Sequence, residues 1–118
     1  VIDDYLINLE LTKHLLELMK CKVDTAITGS DAIKKVEAKE YAIIFLDIQM
    51  PDMDGIEIAK KIRALRNGKK QIPIIALTAN ALTGDREKYL AQGMDDYISK
   101  PITGEEIEKT IQRHMTPT

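Results

Sequence analysis

The sequence predicts an α/β fold, a parallel sheet with helices packed on both of its faces. Three observations carry that prediction. The run Ala42-Ile43-Ile44-Phe45-Leu46 is apolar without alternation, and Ile74-Ile75-Ala76-Leu77 repeats the pattern, as strands buried on both faces do. Segments with apolar residues at helical spacing stand between such runs. The connections are short, so right-handed crossovers return successive strands to one sheet.

The elements follow in order. Val1-Ile2 running into Asp3-Asp4 reads as the end of a buried strand whose beginning is missing. From residue 7 to about 20, Ile7, Leu11, Leu15 and Leu18 recur at helical spacing, with Lys13, Glu17 and Lys20 on the other side. Residues 22–27 alternate Val23, Thr25 and Ile27, a short second strand. Gly29-Ser30 breaks the chain, and Ser30 is the expected N-cap of a helix with apolar positions Ile33 and Val36. The third strand, 42–46, ends at Asp47. Pro51, Asp54 and Gly55 punctuate a loop, and Ile58, Ile62 and Leu65 mark a helix that stops at Asn67-Gly68. Pro73 opens the fourth strand, which ends at Thr78. A more polar helix over about 83–92 stops at Gly93, and a fifth strand, 96–99, ends at Lys100-Pro101. Thr103 and Glu106 form a capping box for the last helix, with Ile107 and Ile111 inward.

Composition narrows the function. One domain, 1–118, accounts for the length. The chain is 44% apolar and 31% charged, and its formal charge of −2 provides no field for nucleic acid or an anionic membrane. No apolar run approaches a membrane span. The single cysteine, Cys21, expected to be buried and inert, cannot form an internal disulfide. A soluble, cytoplasmic domain is expected.

The chemistry lies at the strand ends. Strand one ends in Asp3 and Asp4, strand three in Asp47, strand four in Thr78 and strand five in Lys100. In open α/β sheets these ends share one edge, where ligands bind. Two carboxylates 4 Å apart repel by roughly 4 kcal/mol at an effective dielectric of about 20. A cation offsets that cost, and oxygen-only ligands select Mg²⁺ or Mn²⁺ with positions left for phosphate. Lys100 and Thr78 suit the remaining phosphoryl oxygens, so the set reads as a carboxylate that becomes phosphorylated. Singly, each residue reads as a turn or strand-end signal. Folding alone gives no reason to collect three acids and a base at one rim.

The stretches Val1-Ile2-Asp3-Asp4, Ile44-Phe45-Leu46-Asp47-Ile48-Gln49-Met50-Pro51-Asp52-Met53-Asp54-Gly55, Pro73-Ile74-Ile75-Ala76-Leu77-Thr78-Ala79-Asn80-Ala81 and Tyr97-Ile98-Ser99-Lys100-Pro101 resemble the receiver domain of two-component response regulators over essentially the whole chain. The resemblance implies a flavodoxin-like sheet of five strands, order 2-1-3-4-5, with five helices. It implies that Asp47 takes a phosphoryl group from a phosphohistidine on a histidine kinase or histidine phosphotransfer domain. Asp4, Asp47 and the main-chain carbonyl of Gln49 would hold Mg²⁺, for which Mn²⁺ can substitute, and Asp3 would support it through water. Lys100 would pair with the phosphoryl group, Thr78 would donate its hydroxyl to it, and Tyr97 would turn inward as Thr78 moves. Gln49 and Asn80 would tune water access to the acyl phosphate. The switching face, and the surface for a homodimer, would be the fourth helix, fifth strand and fifth helix. Contact with nucleic acid or membrane is not expected.

Receivers usually carry a polar pair after the acids, where this chain has Tyr5 and Leu6. Leu6 and Ile7 are therefore expected to dock on a histidine-bearing helical bundle. His14 and His114 are expected to be solvated. An aspartyl-phosphate phosphatase of the haloacid dehalogenase type fits less well, because its nucleophile follows strand one in an Asp-x-Asp pattern. A flavodoxin would need a Ser/Thr- and Gly-rich loop where Asp3-Asp4-Tyr5-Leu6 stands. A degenerate receiver, acting only as a binding module, would have lost part of the acidic and Thr/Lys set. Residues 48–55 and 76–81 most resemble receivers fused to hybrid sensor histidine kinases, so the chain is expected to be a fragment of one. A free-standing regulator is the alternative.

Overall fold

The computed structural model describes residues 1–39, 41–48, 55–64, 72–78, 94–99 and 102–115. Among these residues three strands, β1 (Ile44–Asp47), β2 (Ile74–Thr78) and β3 (Asp96–Ser99), form a parallel sheet in that order. Asp47 pairs with Leu77, and Thr78 with Ser99. Every residue of β1 and β2 is buried, as their uninterrupted apolar pattern requires. Ile2 makes a parallel bridge to Ala26 on one side and to Leu46 on the other. The expected strands at 1–2 and 22–27 are thus single bridges among the described residues.

Among the described residues four helices cover the sheet: α1 (Leu6–Leu18), α2 (Gly29–Ala38), α3 (Gly55–Arg63) and α4 (Gly104–Met115). The pleat sends alternate strand residues to opposite faces. Phe45, Ile75, Leu77 and Ile98 pack with Leu16 of α1 and Ile107 of α4. Ile44, Leu46, Ile74 and Ala76 pack with Val36 of α2 and Ile58 and Ile62 of α3. Each large side chain withdrawn this way contributes about 1.5–3 kcal/mol before entropy is subtracted. Ile58, Ile62 and Ile107 are buried inward as expected. The expected helix at 83–92, Leu65 with its Asn67-Gly68 stop, and Lys100-Pro101 lie outside the described residues.

The inward face of α1 differs from the expected one. Leu9, Thr12 and Leu16 are buried, whereas Ile7, Leu11 and Leu18 are exposed and Leu15 is half-buried. The helix carries two apolar stripes, and spacing fixes a stripe's period without saying which one meets the sheet. Its C-terminus closes with a Schellman motif: Cys21 N–H donates to Leu16 O at 3.1 Å and Lys20 N–H to Glu17 O at 2.9 Å. Lys20 adopts the required left-handed conformation, φ 65°. Cys21 is half-buried against the same cluster rather than fully buried.

The start of α2 is also displaced. Thr28, not Ser30, is the N-cap, and its Oγ1 accepts from Asp31 N–H at 3.1 Å. That choice leaves Gly29, Ala32 and Val36 as the buried positions, with Ile33 half-buried. For α4 one bond of the expected capping box is present, with Thr103 Oγ1 accepting from Glu106 N–H at 3.2 Å. His114 is not a solvated terminal residue. Its Nε2 lies 3.0 Å from Oδ2 of Asp96, which also takes the Arg113 guanidinium at 2.8 Å. Asp96 is buried at the start of β3, and its carboxylate ties the Arg113 and His114 side chains of the last helical turn to that strand.

Candidate functional site

The bridge at Ile2 and the end of β1 bring the acids together. Ile2 N–H donates to Phe45 O at 2.8 Å, and Asp47 N–H donates to Ile2 O at 2.8 Å. These bonds lock the register so that Asp3 and Asp4 leave the sheet beside Asp47. Asp3 N–H donates to Ala26 O at 3.1 Å, and its Oδ1 accepts from Tyr5 N–H at 2.9 Å. That second bond turns the chain sharply into α1. One ligand oxygen from each of Asp3, Asp4 and Asp47 lies within 4.8 Å of the others.

Burial differs among the three. Asp3 and Asp47 are buried and Asp4 is half-buried, so the cluster has a protected floor and an open side. Thr78 is buried at 1% exposure, one residue past Leu77, the partner of Asp47. Strand geometry therefore sets the Cα atoms of Asp47 and Thr78 about 6 Å apart. Opposite Thr78 stands Ser99, the last residue of β3. Tyr97, paired with Ala76, is half-buried and packs on the α2/α3 side. Gln49, Asn80 and Lys100 lie outside the described residues. Tyr5, Leu6 and Ile7 are exposed at 50%, 61% and 69% immediately beside the acids.

The donor set fits a hard divalent cation. Three carboxylates supply only oxygen, which suits Mg²⁺ rather than a thiolate-seeking metal. Their proximity carries a repulsion that a cation relieves. Buried Thr78 adds a hydroxyl on the neighbouring strand.

One contributor was not assigned a role in the sequence beyond punctuation. Gly55, the first residue of α3, donates its N–H to Ile48 O at 3.2 Å. A Cβ there would sit 2.3 Å from Ile48 Cα and 2.8 Å from Asp47 O. Only hydrogen fits between α3 and the backbone that carries Asp47. The cue was a glycine eight residues beyond the acid, which by itself signals a turn.

A doubly wound α/β sheet with clustered acids at the carboxyl ends of its strands is the class that this fold and site define. The family model described as the response regulator receiver domain matches residues 1–112. The chain belongs to that family, whose members act in two-component phosphorelay. It is 43% identical to hybrid signal transduction histidine kinase L of Dictyostelium discoideum, over 97% of this chain and 7% of that protein. It is 40% identical to the signal transduction histidine-protein kinase BarA of Escherichia coli K12, over 96% of this chain and 12% of that protein. The chain thus spans a small part of the length of these curated relatives. Among solved structures it resembles the receiver domain of sensor histidine kinase PA1611 from Pseudomonas aeruginosa PAO1, described with a magnesium ion coordinated in the active site cleft. That likeness has a TM-score of 0.88 and 35% identity, over 98% of this chain and 94% of that one. The chemotaxis protein CheY4 of Vibrio cholerae gives a TM-score of 0.89 at 29% identity, over 97% and 94% of the two chains. Among the described residues no helix is long and apolar enough to cross a membrane.

Proposed function

We propose that this domain is a phosphoacceptor in a phosphorelay, with Asp47 as the residue modified. The observation that carries the reading is the convergence of Asp3, Asp4 and Asp47 within 4.8 Å, with buried Thr78 on the neighbouring strand. The carboxylate of Asp47 forms a bond to phosphorus as the bond from phosphorus to an imidazole nitrogen of the donor breaks. The phosphoryl group moves to Asp47, and the imidazole leaves neutral where its other ring nitrogen carries a proton and otherwise takes one from water. Asp4, Asp47 and the carbonyl of Gln49 would hold Mg²⁺, or Mn²⁺ in its place, with Asp3 supporting it through water. The ion would supply charge neutralisation on the transferring oxygens. Thr78 donates its hydroxyl to one phosphoryl oxygen and Lys100 pairs with another, while Gln49 and Asn80 set the access of water. The magnesium described in the PA1611 receiver supports the choice of metal.

The phosphoryl group adds charge and acceptor oxygens beside Thr78, and Tyr97 follows the resulting shift. The readout is the face made by the expected helix at 83–92, β3 and α4, which also serves as a homodimer surface. The donor is a histidine kinase or histidine phosphotransfer domain that seats on Leu6 and Ile7, and the exposure of both supports that placement. The parent is a hybrid sensor histidine kinase working in the cytoplasm, and this domain is its acceptor rather than an enzyme with turnover. The full sheet is five-stranded, order 2-1-3-4-5, with five helices. Ile2 standing between Ala26 and Leu46 supports the first half of that order.

Incubation with Mg²⁺ and acetyl phosphate, followed by intact mass, tests the reading. One phosphoryl group is expected, labile to hydroxylamine and lost in Asp47→Asn. No adduct in the presence of metal, or an unchanged adduct in the variant, would overturn it.

A further inference from the structure

The first helix starts on a residue that does little to hold it. Tyr5 is the N-cap of α1, its backbone is extended, and its side chain makes no cap bond. No acid stands in the first turn of that helix. Thr28 ahead of α2 and Thr103 ahead of α4 each accept a first-turn N–H on the side-chain hydroxyl. Ser, Thr, Asp and Asn satisfy such orphan donors, whereas a phenol ring on the N-cap does not.

Packing does not explain the ring either. Tyr5 is half exposed, and among the described residues it belongs to neither apolar cluster of the core. A local rule broken with no gain elsewhere in the fold marks a position held for function.

The surroundings of Tyr5 say which function. Its N–H donates to Asp3 Oδ1 at 2.9 Å, and Asp3, Asp4 and Asp47 offer oxygens within 4.8 Å of one another. Asp4, next in the chain, is the half-buried member on the open side of the cluster. A group delivered to Asp47 crosses that side, within reach of a tyrosine side chain that starts there. In the function proposed above, on which this inference rests, the donor is a phosphohistidine, so the leaving group is itself an aromatic ring. Protonated, that ring is attracted to the face of a phenol. Neutral, it packs offset or edge-on with ring centres about 4.5–7 Å apart.

We propose that Tyr5 is a specificity-determining residue of the acceptor, its ring stacking on the imidazole of the phosphodonor and favouring donors with an aromatic leaving group. The bond from phosphorus to the ring nitrogen breaks as an Asp47 oxygen bonds to phosphorus. The electron pair of the broken bond stays with the imidazole, which leaves neutral where its other nitrogen carries a proton and otherwise takes one from water. Stacking that holds the ring equally before and during transfer raises the second-order rate and leaves the chemistry at phosphorus unaltered.

Two small donors that carry no docking surface separate this ring from Leu6 and Ile7. Phosphoimidazole has the aromatic leaving group and acetyl phosphate lacks it. Each is supplied with Mg²⁺ below saturation, and the rate is read by intact mass. The ratio of the phosphoimidazole rate to the acetyl phosphate rate is expected to fall about 3–10-fold in Tyr5→Asn. In Tyr5→Phe, which keeps the ring, it is expected to stay within about twofold of the parent. Tyr5→Asn is also expected to raise Tm by about 2–5 °C, because asparagine supplies the cap bond. An unchanged ratio in Tyr5→Asn, an equal fall in Tyr5→Phe, or a lower Tm for Tyr5→Asn would overturn the proposal and leave the phosphoacceptor reading standing. A parent chain that takes no phosphoryl group from either donor would overturn both.

Discussion

Gly55 shows how closely a single residue can govern the acceptor. A methyl group there has nowhere to go but into Ile48 Cα at 2.3 Å and Asp47 O at 2.8 Å, and neither is the movable end of a side chain. Either α3 retreats or the end of β1 shifts. Gly55→Ala is expected to cost about 1–3 kcal/mol in urea unfolding. It is also expected to weaken Mg²⁺ binding roughly 10–100-fold by calorimetry, as displaced supporting groups do. Gly104→Ala is the control: its Cβ would meet Leu15 Cδ2 at 3.6 Å and Met19 Cε at 3.9 Å, ordinary contacts. That variant is expected to bind Mg²⁺ unchanged and to gain up to about 1 kcal/mol. Equal loss of metal affinity in both variants would separate Gly55 from the site. The acids themselves were legible from sequence, because Asp47 and Thr78 terminate uninterrupted apolar runs and Asp3-Asp4 follows another. Gly55 was legible only as punctuation, since the close approach it permits involves backbone that no residue pattern reports.

Among the elements, α1 and α4 mark what periodicity can and cannot say. Both helices were expected near their observed spans, but α1 presents Leu9 and Leu16 to the sheet and leaves Ile7, Leu11 and Leu18 outside. Two leucine stripes on one helix give the same period, and the choice between them is made by tertiary packing. The tie between α4 and β3 was illegible for a different reason. His114 and Asp96 are polar residues 18 positions apart, and polar pairs leave no periodic trace. Asp96 Oδ1 accepts from Tyr97 N–H at 2.8 Å while Oδ2 holds Arg113 and His114. The backbone of the expected switch residue is thereby linked to the end of the last helix. Asp96→Ala is expected to destabilise by roughly 1–3 kcal/mol, because a buried acceptor shared by several donors is lost. Glu105→Ala, which removes an exposed pair with Lys109, is expected to change stability by less than about 1 kcal/mol. Similar Tm values for the two variants would mean that Asp96 does not anchor α4.

For the whole molecule, the net charge of −2 conceals an uneven distribution. Acids gather at one rim of the sheet, and at the opposite end the 118-residue chain, with a free amine at Val1, holds that amine out of water. Burial is the main cause that lowers the Val1 ammonium from 8.0 to about 6; Asp24 opposes it and Lys35 adds to it. Nearby, Tyr41 O–H donates to Asp24 Oδ2 at 2.7 Å. Burial first, then that bond, pushes the Tyr41 phenol up to about 12, and the Tyr41 and Lys39 bonds hold the Asp24 carboxyl below its usual range. Neither Asp24 nor Tyr41 changes charge between pH 6 and 8, whereas the amine does. In that window the unfolded chain binds the proton more readily than the folded one, so stability rises with pH. The rise begins near pH 6, is complete by about pH 8 and amounts to something on the order of 2–3 kcal/mol for a two-unit shift. Acetylation of the Val1 amine removes the titrating group without touching either histidine. Urea unfolding of the free and acetylated 118-residue chains at pH 6 and pH 8 therefore isolates the effect. The free chain is expected to gain more stability than the acetylated one over this range; equal gains would place the amine in water.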